Sequence, residues 1–562
     1  MKTFLTLSLL FVSMFGFAQH DKPGTIGTVV TQHLKDSRKQ TVYIHNLPRP
    51  KLMDGVGFST LKIETKSDSA QKFFNQGVAL THCFWDFEAY RSFKEAVRLD
   101  STAIMGWWGL ASTVQNMSDE AFKADKVQSF KKLKELKASA NAHEKLYVEG
   151  LLLTDSLSGE DGNKAYMKKL ETIVHKFPDD IDAQLFLALS NMSGYEKDGS
   201  PLNGQIYSER LLKDILTKYP DNAAANHYWI HAMEAATPEK AIKSADALTA
   251  QAPASGHMVH MPGHIYNRVG DYKKAYNSFV ASVKVDSAYM KNNGIQEVDT
   301  WNYIHNIHYL LANCAQDGRY TSGLLYAEKL RTMKADKERK KIYEGNFFWQ
   351  GILAPARMEL CFGFYDKAAK RMQLILDVDS VYGNSNMAYK EALTFFALGM
   401  DAVEKKQVLI ANKYADALDS YLYRNAKQGK KESAIPNYAM TQLNIYSLEL
   451  QGSIKSLENK DEEAIAILVD ANKRELELGY GEPPAYPRPV MLSLANVYTK
   501  TKKYDLAVSG LEEMLKIHPN GAPALYGLYK VYKQKGDEVK AKIYADRLKE
   551  TTQFGDKGLF KL

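Results

Sequence analysis

Residues 73–101 read FFNQGVALTHCFWDFEAYRSFKEAVRLDS, and their spacing decides the fold. Apolar side chains recur with the 3.6-residue helical period on both sides of a short break, so the stretch predicts two helices in succession. Gly77, Ala89, Phe93 and Ala96 stand where such a pair must approach closely. The same offsets return at Gly263, Tyr266, Ala275 and Phe279, at Ala356, Ala368, Met372 and Ile375, at Ala495, Tyr498, Ala507, Leu511 and Pro519, and at Tyr529, Tyr532, Ala541, Ala545 and Leu548. Turns of similar composition precede each second helix: Gly270-Asp271-Tyr272, Gly318-Arg319-Tyr320, Gly363-Phe364-Tyr365, Lys502-Lys503-Tyr504 and Gly536-Asp537.

These offsets are those of the tetratricopeptide (TPR) repeat, about 34 residues long. One hairpin cannot bury its apolar face alone, so neighbours stack into a superhelix with a concave inner wall. The expected fold is therefore all-α, a TPR-type α-solenoid coiled as a right-handed superhelix. It should occupy residues 69–550 with roughly eight to ten hairpins, several of them degenerate. Residues 19–68 carry little helical period and read as an irregular N-terminal segment, with short extended pieces at Val42–Ile44 and Phe58–Ile63. Residues 551–562 read as a polar tail. The loop Gly479-Tyr480-Gly481-Glu482-Pro483-Pro484 breaks the array, because consecutive prolines remove backbone donors and restrict their neighbours.

Residues 1–18 have the form of a signal peptide: Lys2, then an apolar run from Phe4 to Phe17, then Gly16-Phe17-Ala18 before Gln19. An exported protein, periplasmic or secreted, is expected. No cysteine near that junction offers a lipid anchor, and no later run approaches the roughly 18 apolar residues of a transmembrane segment. The net charge of +7 is spread among both signs, and short basic stretches such as Lys131–Lys137 and Lys334–Lys341 read as solvated helix faces, so no nucleic-acid partner is expected. The three cysteines, Cys83, Cys314 and Cys361, form no CxxC clip and read as small buried hydrophobes, with one disulfide as the alternative.

Seven of the fourteen histidines cluster between residues 227 and 308: His227, His231, His257, His260, His264, His305 and His308. Three- and four-residue spacing puts helical side chains on one face, and two imidazoles so spaced can grip one metal ion. In the repeat frame, with Gly256 and Ile304 as first positions, His257, His260 and His264 fall at positions two, five and nine, and His305 and His308 at two and five. Those first-helix positions face the concave groove of a TPR array. His257 and His264 lie about 10 Å apart along the axis, too far for all three to share one ion, so a site should take two histidines from one helix and others from its neighbour. Two ions are accommodated if all seven converge. His260 and His308 are the pair singled out for test.

Glu234 shares the face of His227 and is a weak candidate for a ligand or general base, or else an ordinary polar partner. His227-Tyr228-Trp229-Ile230-His231 lacks the glutamate of an HExxH peptidase, and no phosphate-cradling glycine loop or GxSxG elbow is present, so no nucleotide cofactor is indicated. Neutral imidazoles suit Zn, Cu, Ni or Fe, and export favours Zn or Cu. Three readings of the cluster stand open at this level: metal binding, a groove gripping an organic or peptide ligand, and a structural polar network in which Tyr228, Asn302 and Asn306 satisfy the rings. A peptide- or protein-binding scaffold with no metal or catalysis is the alternative function, and a glycan-uptake component a third.

The chain resembles a group of bacterial exported TPR proteins of undefined activity. The resemblance rests on Gly57-Phe58, Ile63-Glu64-Thr65, Ala70-Gln71, Gly77, His82, Phe84-Trp85 and Glu88-Ala89, on His227-Tyr228 with His231 and Glu234, on Met261-Pro262 between His257 and His264, and on His305-Asn306-Ile307-His308 and Glu482-Pro483-Pro484. It spans most of the chain and implies a fold without a reaction. It also implies a place for His82 beside the cluster, as a weaker metal candidate. Tyr486 departs from the pattern, which has tryptophan after the double proline.

Overall fold

The computed structural model describes residues 25–26, 47–115, 122–157, 159–196, 199–333, 351–376, 384–426, 435–479 and 484–562. The expected signal peptide, residues 1–18, and the extended piece at Val42–Ile44 lie outside them. Five first helices start where a polar side chain accepts a bond from the opening turn: Ser67, Asn141, Asp180, Asn222 and Ser255 all cap in this way. The hairpins are α1 (Asp68–His82) with α2 (Asp86–Leu99), α3 (Ile104–Val114) with α4 (Lys123–Leu136), α5 (Ala142–Ser156) with α6 (Gly159–Lys176), and α7 (Ile181–Asn191) with α8 (Gln205–Lys218). Then come α9 (Ala223–Met233) with α10 (Ile242–Gln251), α11 (Gly256–Arg268) with α12 (Tyr272–Asn293), α13 (Trp301–Asp317) with α14 (Tyr320–Arg331), and α15 (Ala354–Cys361) with α16 (Tyr365–Gln373). The last four are α17 (Asn384–Glu404) with α18 (Val408–Asn425), α19 (Asn437–Leu457) with α20 (Asp461–Glu477), α21 (Val490–Lys500) with α22 (Tyr504–Ile517), and α23 (Ala522–Lys535) with α24 (Glu538–Thr551).

Each helix packs on its hairpin partner and on the next hairpin, which is the α-solenoid expected. Twelve hairpins stand among the described residues, more than the repeat offsets revealed. Those of α3–α4, α5–α6 and α7–α8 lack the Gly-x-Tyr turn and so escape the pattern. The apolar core runs in two long stretches that adjoin near Leu353–Met358, with a small third cluster of Ala522, Leu525 and Leu548 in the last hairpin. Outside the helices, Thr25–Ile26 pairs antiparallel with Tyr195–Glu196, and Phe58–Ile63 forms no strand. No described helix is long and apolar enough to cross a membrane. Cys83, Cys314 and Cys361 are free thiols, the first two buried. Burial pushes the Cys83 thiol up to about 12.

Two features change the expected open groove. Residues 51–64 run as an irregular strap over the first helices: Met53 N donates to Gln76 Oε1 at 2.7 Å, Ala254 N to Gly55 O at 2.8 Å, Ser59 Oγ to Asp182 Oδ2 at 2.8 Å, and Glu64 N to Glu144 Oε1 at 2.7 Å. Its partners lie on α1, α5 and α7 and just before α11, so the strap lies along the wall that first helices form. The C-terminal end folds back as well. Tyr272 Oη donates to Pro519 O at 2.8 Å, Arg268 Nη1 to Ile517 O at 3.1 Å, and Asp556 N to Gly318 O at 2.8 Å, while the Arg319 guanidinium stands 5.1 Å from the Phe554 ring. The polar tail is thus docked on the turns of the sixth and seventh hairpins.

Close helix approach depends on absent side chains. A Cβ at position 109 would meet the Phe93 ring at 2.2 Å, with no room for the ring to retreat from Gly77 on its other side. Gly109→Val should therefore lower stability by about 1–3 kcal/mol through overpacking, read as an earlier urea midpoint with unchanged slope.

Candidate metal centre

The first helices α9, α11 and α13 lie side by side, and the histidine spacing turns each one's ring nitrogens to its neighbours. His227 and His231 stand one turn apart on α9, and His260 and His264 one turn apart on α11. Two compact groups result. His227, His231 and His257 form one and His260, His264 and His305 the other, each with its candidate ligand atoms within 4.8 Å of one another. Both groups take a pair from one helix and a third ring from the next. His257 stands between them, its ring 5.0 Å from that of His227 and 5.8 Å from that of His260.

Oxygen acceptors decide which nitrogen of each ring carries the proton. His227 Nδ1 faces the His82 carbonyl at 2.8 Å, His231 Nδ1 faces Glu234 Oε1 at 3.0 Å, and His264 Nδ1 faces Glu234 Oε2 at 2.7 Å. His260 Nδ1 faces Asn306 Oδ1 at 2.8 Å and His257 Nδ1 faces Asn302 Oδ1 at 3.2 Å. The two amides are themselves oriented, because Asn306 Nδ2 donates to Phe279 O at 2.8 Å and Asn302 Nδ2 to Asp286 Oδ2 at 2.7 Å. Five rings therefore donate through Nδ1 to oxygen. Their Nε2 atoms keep the lone pair, and those lone pairs converge: His227 Nε2 is 3.0 Å from His231 Nε2, and His260 Nε2 is 2.6 Å from His264 Nε2.

The setting is dry. His227, His260 and Glu234 have no exposed surface, and His231, His257 and His264 are within a few per cent of none. Burial, then the neighbouring imidazoles, holds His227, His257, His260 and His305 well below the ordinary imidazole range, so the rings are neutral bases. Burial alone would raise the Glu234 carboxyl, but His264 and His231 facing it bring it below its ordinary value. It is the ionised acceptor of one histidine from each group.

Sequence reasoning missed the cover. Phe84, in the turn between α1 and α2, holds φ at 54°, a left-handed conformation that costs a non-glycine residue about 1–3 kcal/mol. Its ring lies 4.7 Å from that of His227, 5.4 Å from His231 and 5.7 Å from His257. The strain turns an apolar plate over one histidine group. Only the spatial return of the first hairpin to the fifth reveals this, and no local motif announces it.

Two candidates stand apart. His82 is committed at both nitrogens, Nδ1 to Tyr228 Oη at 2.9 Å and Nε2 to Asp182 Oδ1 at 3.1 Å, and stacks on Phe186, so it braces the first hairpin and contributes its carbonyl instead of its ring. His308 is buried on α13 but belongs to neither group, because only His305 of that helix reaches the His260 side. His260 and His308, the pair singled out from the sequence, therefore do not fall in one group.

No protein-family profile matches the chain, and no curated protein does. Solved structures similar to it include a human IFIT1 dimer with m7Gppp-AAAA, 13% identical over 92% of this chain and 94% of that one, at a TM-score of 0.30. The APC/C hetero-tetramer Cut9-Hcn1 is 13% identical over 86% and 94% of the two chains at 0.27, and the P58(IPK) TPR domain 13% over 84% and 99% at 0.20. Identities and scores this low say nothing about activity.

Glu234 is the acceptor whose loss is felt most widely. Each buried donor left without a partner costs about 1–3 kcal/mol, so Glu234→Ala, which strands two, should lower the stability of metal-free protein by about 2–6 kcal/mol in urea titrations.

Proposed function

We propose that the histidine core binds two transition-metal ions, one in each group, and that the solenoid is the rigid frame of a buried dinuclear centre. The observation that carries this reading is the meeting of Nε2 lone pairs at 3.0 and 2.6 Å while their Nδ1 protons are committed elsewhere. Two bare lone pairs at such distances repel. A cation between them turns repulsion into coordination, as a proton shared within each pair also would, and burial keeps His227 and His260 available as neutral ligands. Metal–nitrogen bonds near 2.0–2.1 Å need facing nitrogens about 3.3 Å apart, which small ring rotations supply. Three histidines per ion leave a coordination position open, the arrangement that catalytic sites use to polarise a substrate or activate water.

Neutral imidazoles fit Zn or Cu. Glu234, linking His231 to His264, and the carbonyl and amide oxygens behind the other rings raise ligand basicity and fix orientation, as partners behind metal-bound histidines do. Export belongs to the same proposal and rests on residues 1–18. The scaffold alternative, a peptide held in the concave groove, is less well supported here because residues 51–64 already lie along the first helices.

Protein purified without a histidine tag should carry two equivalents of metal by elemental analysis. His231→Ala should lose one, His264→Ala the other, and His308→Ala neither. Metal-free protein should gain about 2.7 kcal/mol per site at ligand concentrations a hundredfold above Kd. A thermal midpoint that does not move with either Zn or Cu would sink the reading.

A further inference from the structure

The two histidine groups are almost wholly buried, so an ion reaches them only where parts of the chain separate. One seam lies beside them. On one side stands the turn of the first hairpin, Cys83-Phe84-Trp85, and on the other the entry to α11, Ala254-Ser255-Gly256-His257. A chamber of about 20 Å³, room for about one water, lies in this seam. Phe84 and Trp85 wall it from the first hairpin, Ser255 and His257 from the start of α11, and Thr300 and Trp301 from the start of α13. The Thr300 hydroxyl is buried and has no hydrogen-bond partner among the described residues.

The strap stitches this seam from both sides. The Cys83 thiol donates to Val56 O at 3.2 Å on the hairpin side, and Ala254 N donates to Gly55 O at 2.8 Å on the α11 side. Between the two bonds Val56 is buried, with Gly55 at φ 75° and Gly57 at φ 80° on its flanks. Two left-handed glycines let the chain bend sharply around one anchored side chain. A Cβ at position 55 would stand 3.4 Å from that of Ala254, and one at position 57 would stand 3.4 Å from that of Ala223, the first residue of α9. The clasp thus also reaches the helix that carries His227 and His231.

Elsewhere helices close the core. The helices α9, α11 and α13 pack against their own hairpin partners and against one another, so parting them forfeits apolar contact over several turns. Residues 55–57 are held by a few hydrogen bonds and one apolar side chain, and segments with so little packing open first. Phe84 adds a bias toward opening. Its left-handed backbone, at φ 54°, relaxes when its ring withdraws from His227.

We propose that this seam is the port through which ions enter the histidine core, and that Gly55-Val56-Gly57 is the latch that closes it. Ion passage rests on the metal reading, whereas latch opening does not, because alkylation of Cys83 in metal-free protein measures it. That thiol is buried against the latch, and burial pushes it up to about 12, so it reacts only when the seam parts.

Gly55→Cys with Ala254→Cys brings two thiols within reach of a disulfide, and Gly57→Cys with Ala223→Cys is a second such pair. Oxidation locks the latch, while serine pairs at the same positions carry the same backbone strain without a lock. The locked full chain should take up added Zn at least about tenfold more slowly than its serine counterpart and reach the same final metal content. Cys83 alkylation, followed by peptide mass, should slow alongside it, and Val56→Ala should speed both. Should Val56→Ala fail to fold by circular dichroism, the locked and serine forms decide alone. Equal Zn uptake in those two forms overturns the port, and equal Cys83 alkylation overturns the latch. Wild-type protein that takes up neither Zn nor Cu defeats the metal reading instead, and the alkylation rates then uphold or overturn the latch by themselves.

Discussion

One carboxylate organises the core of this molecule. Glu234 sits at the C-terminal end of α9 with no exposed surface, and its two oxygens take the Nδ1 protons of His231 and His264 at 3.0 and 2.7 Å. A lone ionised carboxylate in a dry interior is costly, and strong hydrogen bonds to both oxygens are what make it tolerable. The same bonds dictate the tautomers of the two rings, and those tautomers send the remaining lone pairs inward. The backbone of this residue is held too: Arg268 donates to the carbonyls of Glu234 and Ala235, both at 3.2 Å, and on to Ile517. A single guanidinium thus ties the histidine core to the returning C-terminal end.

Local repeats are legible in the chain because close helix approach restricts residue type. Ala275 and Phe279 mark a hairpin with a glycine-bearing turn, and Ala89 and Phe93 mark one without it, while α3 to α8 meet the same packing demand with other residues and go uncounted. The histidine spacing told which rings could share a helix face, and the axial rise already separated His257 from His264. It could not tell that His257 would join α9 while His260 joined α13. Asn302 and Asn306 were readable as partners of the rings because they lie on the neighbouring first helix in register. Phe84 and the His82 carbonyl were not, since contacts across some 145 residues leave no periodic trace.

The groove itself is where local reading misleads most. TPR frames place first-helix positions on a concave wall, and the histidines of α9, α11 and α13 lie buried between those first helices. Yet the wall is covered, by the first hairpin turning back over the fifth and by residues 51–64 laid along the inner helices. Burial by distant parts of the chain is a property of superhelical curvature, and curvature accumulates from small rotations per hairpin that no single repeat encodes.

Arrays of stacked hairpins ordinarily behave as one-dimensional chains: each unit knows only its neighbours, stability is a sum along the stack, and units can be lost from the ends. Closure removes that modularity here. Tyr272 and Pro519 are bonded across 247 residues and Thr321 and Asp556 across 235, while the first hairpin supplies the carbonyl that orients His227. Such long loops must be closed before their contacts repay the lost chain entropy, so the molecule should assemble slowly and as a unit, like a globular domain of high contact order. Neither end is dispensable, because the middle of the chain is finished by both.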